Sequence, residues 1–436
     1  MVKKIFVDRS DCNSLIGTFL DESHYDLLIE EDVDVYERIS GVSGDSDSES
    51  EERVVLKFRK NFFSKEQQAE AYAGLREAAT PTNNRGSAAG TVRTGKNGNR
   101  EWVTVYEERV LRFFTKPYTT ITGEDPIEEL RANKQSMLDP SSAFNTVWLS
   151  SKPLDFEAWI DATRKLTPAE QKKAAKEVID TNISGTTYAN EVYSGIAGAF
   201  GRVPRVPYGR LAAYNERSPE NYKRAIPFIR TLDAAFSELL PKRYSAQKKF
   251  VSDIDQNFRI SDTVFTTLTI NKTFRTAAHL DAGDLGPGFS NLSVLSNDGN
   301  YTGGYLVCPE FRAAVNVRPG DLLLIANHTA IHGNTPIVLG SESSERISIV
   351  AYAREDLAQL GTWEYEQTRK KYVEACRDNK EHPHWWDRFS GVYPGQWQSK
   401  EWFDYLVKEL GEEKARKNDP AIFEIHDKTS LESFFG

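Results

Sequence analysis

The sequence predicts an α+β protein with a β-sandwich or jelly-roll core and flanking helices. Three observations predict it. From Val264 the chain becomes a succession of short β-rich runs, VFTTLTI, SNLSVLS, GGYLVCPEF, AAVNVRPGDLLLIAN and RISIVAYA, punctuated by Gly, Pro and Asn with no helix between them. Helical patterns stand on both sides of that block. Hydrophobic residues make up 39% and aromatics 11% of the 436 residues, enough to bury a large core and to exclude a globally disordered chain.

Taken in order, residues 5–40 mix short apolar runs with acidic turns and are expected to add strands to an edge of the fold. Residues 41–52 (GVSGDSDSESEE) are a Ser/acidic low-complexity stretch, expected as a flexible surface loop. Val54 to Phe58 reads as a strand. Ser64 then opens a helix, with Gln67 at the capping-box position and Ala-rich sequence to about Ala79. Residues 81–99 are loop-like, glycine-rich and basic around Asn84-Arg85-Gly86 and Arg93 to Gly98. Glu101 to Phe114 resumes strand character. Thr167-Pro168-Ala169-Glu170 is a helix start that should run to about Ile179. Ser218-Pro219-Glu220 begins another helical region, broken or kinked near Pro227 and ending before Pro241. Beyond Glu355 the chain is helical and Trp-rich, with helices expected at Glu364 to Cys376 and Lys400 to Lys417. The expected division is an N-terminal α/β region over 1–195 with loops at 41–52 and 81–99, a β core over 196–355, and a helical extension over 356–436.

Composition narrows the function classes. No apolar run approaches the ~20 residues of a membrane span, and the N-terminus lacks the pattern of a signal peptide. Cys12, Cys308 and Cys376 are scattered and odd in number, against a disulfide framework or a zinc cluster. The expectation is a soluble intracellular protein without a membrane partner. Net charge is −9, yet residues 201–249 hold eleven Lys or Arg against four Asp or Glu. A basic face on an acidic body suits a polyanionic partner, because phosphate contacts follow local potential; a solvated helix surface is the plain alternative.

The chemistry-bearing residues lie in the β-rich block. His279 and Asp281 stand two apart, so on a strand end both side chains project to one face. Two later histidines compete as a partner. His332, next to Gly333-Asn334-Thr335-Pro336, sits where the chain turns back, whereas His328 is the alternative, otherwise a supporting donor or an exposed loop residue. Two imidazoles and a carboxylate in this order form a facial triad, which binds iron and leaves positions open for oxygen and a co-substrate. Arg346 follows on a β-rich run, with Ser348 on the same face. A guanidinium grips a carboxylate through two parallel hydrogen bonds and a hydroxyl adds a third, as a dicarboxylate such as 2-oxoglutarate needs; the bland reading is a salt bridge to an acidic loop. Arg275 shares strand parity with His279. It either holds the other end of 2-oxoglutarate or a substrate phosphate, or is a surface residue past a bend. His382-Pro383-His384, beside Trp385-Trp386, reads as packing in the tail.

These residues together resemble the TET/JBP family of nucleic-acid-base dioxygenases, including its phage relatives. The likeness runs through Phe274-Arg275-Thr276-Ala277-Ala278-His279-Leu280-Asp281-Ala282-Gly283-Asp284 and Gly288-Phe289-Ser290-Asn291-Leu292. It continues in the same order through Gly303-Gly304-Tyr305, Asn316 to Asp321, His332 to Pro336 and Arg346 to Val350, covering roughly Val264 to Arg354. More faintly it reaches upstream to Gly201–Asn215 and to Asn84-Arg85-Gly86. The resemblance implies a double-stranded β-helix (jelly-roll, cupin-like) core, iron(II) on His279, Asp281 and His332, and 2-oxoglutarate on Arg346 with Ser348. Ascorbate enters as a stimulant. It further implies oxidation of the methyl group of a 5-methylpyrimidine, 5-methylcytosine or thymine, flipped out of DNA, with O2 as co-substrate.

Asp284 matches the position where the family presents an Asn or Asp to the flipped base, although capping the turn before Leu285-Gly286-Pro287-Gly288 would also explain it. Arg210 and Arg217, with Arg202 and Arg205, are the expected phosphate contacts. The cysteine-rich zinc region of the animal TET enzymes is absent, and the overall charge is acidic for a duplex binder. Competing expectations are the same hydroxylation on a free nucleotide, small metabolite or protein side chain, and a non-catalytic β-sandwich binding module. The sequence separates neither thymine from 5-methylcytosine nor one oligomeric state from another.

Overall fold

Strand Arg346–Tyr352 runs between Ser290–Ser296 and Thr267–Lys272, antiparallel to both, inside a ten-stranded sheet. This computed structural model describes residues 2–39, 51–90, 92–94, 185–187, 190–203, 206–379, 381–385 and 395–435, together with Thr167 and Glu170. Outside them fall the expected strand at 101–114, nearly all of the loop at 41–52 and most of the helix after Thr167. At that helix start Thr167 and Glu170 exchange capping hydrogen bonds at 2.9 and 3.4 Å.

The central strand is buried along its whole length, and its period of two divides the molecule. Ile347, Ile349 and Ala351 enter one apolar cluster with Ala71 and Leu75 of helix Lys65–Leu75 and Phe228, Leu232 and Phe236 of helix Pro219–Leu239. Val350 and Tyr352 enter a second cluster. Strand Leu322–Ile325 repeats the rhythm, with Leu322 and Leu324 facing the helices and Leu323 and Ile325 facing the other way. Each such leucine, fully buried, stabilises the fold by about 1.5–3 kcal/mol relative to exposure.

The second cluster fills the space between the large sheet and a four-stranded one, ordered Gly333–Asn334, Leu306–Cys308, Ala313–Val315 and Leu27–Ile29. Two facing sheets of this kind, mostly antiparallel, make the expected double-stranded β-helix core of an α+β fold. The N-terminal strands extend the large sheet. Glu51–Arg59 pairs with Leu322–Ile325, Val33–Ile39 follows, and Lys3–Val7 lies parallel at the edge. Residues 51–52, expected in a loop, therefore begin a strand.

Helix Lys65–Leu75 begins as its sequence predicts, with Ser64 and Gln67 capping each other. Helix Pro219–Leu239 ends before Pro241 as expected and passes through Pro227 without a break, and a further helix, Pro241–Ser252, follows. Pro227 and Lys223 are both exposed, so the carbonyl that loses its partner lies on the solvent side, while Ala225, Phe228 and Ile229 anchor the opposite face.

The chain parts into two compact units, and the boundary is not the one expected at 195. The first contains residues 1–91, 188–202 and 209–363; the second contains 92–187, 203–208 and 364–436. The first hundred residues thus contribute most of their described strands to the core unit, because these complete its sheets. In the second unit, helices Trp363–Asp378, Lys400–Leu410 and Pro420–Phe435 gather Tyr365, Tyr372, Trp402 and Phe423. Gly411, at φ 77°, splits the helix expected over 400–417. His384 Nδ1 lies 2.8 Å from the Tyr372 hydroxyl within that aromatic packing. Among the described residues no helix is long and apolar enough to cross a membrane.

Candidate metal centre and its cavity

His279 and His332 reach one point because their backbones pair. His279 N–H donates to His332 O at 2.9 Å, and His332 N–H donates to His279 O at 3.0 Å. Each ring is also set locally. Nδ1 of His279 donates to Ala277 O at 2.8 Å, and Nδ1 of His332 donates to Ala330 O at 2.9 Å. A carbonyl only accepts, so both Nδ1 atoms carry the proton and the Nε2 atoms are left as the ligand atoms.

Asp281 completes the group. Its Oδ1 lies 3.3 Å from His279 Nε2 and its Oδ2 3.9 Å from His332 Nε2. The three ligand atoms all fall within 4.8 Å of one another, the separation expected of donors sharing one ion at ~2.0–2.2 Å each. Asn327 Nδ2 donates to Asp281 Oδ2 at 2.9 Å. Burial pushes the Asp281 carboxyl up, but the His279 hydrogen bond, the His332 and His279 charges and Asn327 outweigh it and hold it at about 2. Burial, then the His279 charge, brings His332 down to about 4. At neutral pH the set is a carboxylate beside a neutral His332, a donor state that a divalent metal accepts.

The triad opens into a cavity of about 330 Å³, lined among others by Arg85, Thr269, Asn271, Asp284, Ser348 and Arg354. Asp284 accepts a hydrogen bond from Ser290 Oγ at 2.7 Å. Burial first, and the Asp281 charge second, push its carboxyl up to about 8.

Arg346 is 3% exposed. Its Nη2 makes one long hydrogen bond to Gly304 O at 3.4 Å, its Nε has no partner, and the Tyr301 ring lies 5.8 Å from its guanidinium. Among the described residues no carboxylate pairs with it, so the salt bridge to an acidic loop is not what it makes. Gly304, at φ 70°, leaves the space beside it, since a Cβ there would stand 3.2 Å from Arg346 Nε. A buried cation with an orphaned donor fits an anionic ligand.

Arg275 is turned elsewhere. Its Nη2 donates to Leu20 O at 2.7 Å, its Nε to Asn334 O at 3.3 Å, and its guanidinium stacks 4.9 Å from the Phe19 ring centre. Two carbonyls and a ring capture it, so it holds chain to chain and does not face the metal chamber. His328 is half-buried and stays outside the three-ligand group. Arg210 and the cavity-lining Arg354 share one aromatic platform, at 4.8 and 5.5 Å from the Phe200 ring centre. Arg217 is exposed on the short helix Ala213–Arg217, with Nε 3.4 Å from Ala213 O; Arg202 is half-buried, and Arg205 lies outside the described residues.

Sequence reasoning missed Asn327, Arg354 and Tyr352 as cavity residues. Arg354 and Tyr352 follow Arg346 at steps of two, so their strand parity was a usable signal.

Residues 202–355 match the family model described as the oxygenase domain of the 2OGFeDO superfamily, Tet_JBP. That stretch, about a third of the chain, is similar to a Tet_JBP oxygenase domain. Iron(II) and 2-oxoglutarate are the cofactors of that domain's superfamily, and the paired imidazoles, carboxylate and unpaired Arg346 suit both. Thymine dioxygenase JBP1 of Crithidia fasciculata is 28% identical over 230 residues, covering 50% of this chain and 27% of that protein. Bifunctional helicase and thymine dioxygenase JBP2 of Trypanosoma brucei brucei (strain 927/4 GUTat10.1) is 36% identical over 152 residues, covering 34% of this chain and 14% of that protein. The alignment to the JBP1 relative therefore spans about a quarter of that protein's length. The solved structure of NgTET1 in complex with 5mC DNA aligns with 18% identity and a TM-score of 0.34, over 42% of this chain and 68% of that one. The matched residues 202–355 lie almost wholly within the first unit.

Proposed function

We propose that the protein is an iron(II)- and 2-oxoglutarate-dependent dioxygenase that hydroxylates the methyl group of a 5-methylpyrimidine in DNA, with thymine the first base to test. The observation that carries this is the convergence of His279 Nε2, His332 Nε2 and the Asp281 carboxylate on one point of a cavity. The thymine preference draws on the thymine dioxygenase relatives.

His279, Asp281 and His332 would hold the metal, and Arg346 with Ser348 would receive the far carboxylate of 2-oxoglutarate. When bound, these cofactors supply the oxidising power: O2 gives one oxygen atom to the substrate C–H and one to succinate, with release of carbon dioxide. The residues supply geometry. The Nδ1 bonds fix both rings, and Asn327 fixes Asp281. Asp284, largely protonated at pH 7, offers both a donor and an acceptor to a pyrimidine edge. A duplex base reaches this depth only by flipping, which costs a few kcal/mol of unstacking, and phosphate contacts from Arg210 and Arg217 offset that cost.

The test is mass spectrometry of nucleosides after incubation with iron(II), 2-oxoglutarate, ascorbate and oligonucleotides carrying either 5-methylcytosine or thymine as the methylated base. A product heavier by one oxygen on one base, absent with His279→Ala, is the expected result. Succinate formation without any modified base would remove DNA as the substrate while leaving the oxygenase.

A further inference from the structure

We infer that the segment Arg9–Leu20 is a strap that positions both metal-binding histidines, acting through the Arg9–Glu310 pair and through Leu20; this rests on the metal-site reading above. The strap lies far outside the matched residues 202–355, and nothing in the iron chemistry itself calls for it.

Its contacts converge on the residues just before each ligand. Gly17 N–H donates to Ala278 O at 2.7 Å, and Ala278 N–H donates to Thr18 O at 2.8 Å, one residue ahead of His279. On the other arm, Glu310 Oε2 accepts from Ile331 N–H at 2.6 Å, one residue ahead of His332. Arg9 Nη1 grips Glu310 Oε1 at 2.7 Å and Thr329 O at 2.7 Å, so a single guanidinium nitrogen ties that carboxylate to the turn carrying His332. Ser10 N–H donates to Glu310 O at 2.9 Å, which fixes the strap to the backbone of the same residue. The far end is pinned by Arg275, whose Nη2 donates to Leu20 O.

The apolar contacts follow the same logic. Leu20 is fully buried in a small cluster with Ala278, Ile331, Val307 and Ala314, against which Leu15 and Ile16 pack. The two residues that precede the two histidines thus share one apolar patch that the strap completes. Because His279 and His332 pair through their own backbones, a shift of either neighbour moves both imidazoles together.

Glu310 is only 8% exposed, and Arg9 is shared with Glu37 at 2.9 Å. For stability alone, an apolar pair of similar volume would serve as well as a buried ion pair. What the charged pair adds is direction: a carboxylate with one oxygen on Arg9 and the other on the Ile331 N–H has little freedom to tilt. Glu310 and Arg9 are therefore positioning residues, remote from the reacting atoms but joined to a ligand by two hydrogen bonds.

The test uses the full chain and cobalt(II) as the probe, titrated by its visible absorption, with His279→Ala as the site control. Arg9→Met and Glu310→Gln are expected to weaken cobalt binding about tenfold or more, the range typical of groups that support metal ligands. Arg9→Lys, which can still reach Glu310 and Thr329, should recover most of it. Leu20→Ala, read the same way, tests the apolar arm separately should a charged-pair variant fail to fold. Circular dichroism and Tm without metal distinguish positioning from general destabilisation. Folded Arg9→Met, Glu310→Gln and Leu20→Ala proteins that bind cobalt like the wild type would overturn the strap, whatever their Tm. Cobalt binding that survives His279→Ala would instead overturn the metal-site reading and the strap with it.

Discussion

Asn327 holds Asp281 at two points: its Nδ2 donates to Oδ2 at 2.9 Å, and its carbonyl accepts the Asp281 N–H at 3.2 Å. Only the first bond depends on the side chain, so it can be removed without breaking the backbone link. Asn327→Ala should lower metal affinity about tenfold, with the fold intact. A cobalt titration beside a thermal melt reads both quantities, and an unchanged affinity would show that Asp281 needs no such support.

Arg346 carries a buried charge that nothing in the described chain balances. In Arg346→Met that burden is gone, and Tm without 2-oxoglutarate should stay level or rise by about 1–3 °C, while the 2-oxoglutarate concentration for half-maximal succinate formation rises about tenfold or more. Arg346→Lys keeps the charge but loses the planar fork, so it should fall between the two. Wild-type dependence on 2-oxoglutarate in the Met variant would detach Arg346 from that ligand.

Asp284 gives a pH prediction whose sign can be worked out. Its carboxyl, normally near 3.8, is raised to about 8 in the fold, so the folded state favours the proton. The contribution is therefore complete below about pH 4 and is lost as pH climbs through about 8. Asp284→Asn, which cannot ionise, should match the wild type in Tm near pH 4 and exceed it by about 5 °C or more near pH 8.5. Parallel melting curves at both values would mean that the group is not buried as described.

Arg210 and Arg217 should act on DNA through phosphates. Replacing either with Ala is expected to weaken binding similarly across oligonucleotide sequences, and to reduce the slope of log affinity against log salt by about 1. Fluorescence anisotropy at several salt concentrations measures that slope, and no change in it would take these arginines out of the interface.

Much of the site was legible because its residue types are scarce and their spacing is constrained. His279-Leu280-Asp281, a histidine at a chain reversal and an arginine with same-face serine are each common, but the ordered set is not. The β core was legible because Arg346 to Tyr352 and Leu322 to Ile325 are β-branched or aliphatic runs bounded by turn residues. What escaped depends on long-range packing. Pro227 reads as a helix break until the exposed side of the helix is identified. Arg275 has the parity of a chamber residue, yet Leu20 O, 255 positions away in the chain, claims it. The Arg9–Glu310 pair spans 301 positions and leaves no local pattern to find.

The period-two division of strand Arg346–Tyr352 has an evolutionary consequence. Its odd-numbered positions pack against the helices, while Ser348, Val350 and Tyr352 line the cavity beside the candidate metal site. Drift at 347, 349 and 351 is then judged by whether the protein survives in the cell at all, whereas drift at 348, 350 and 352 also reshapes the cavity wall and, on the proposed function, the choice of base. A single seven-residue strand thus offers selection two interleaved sets of positions, one answering to durability alone and one shared between durability and the cavity.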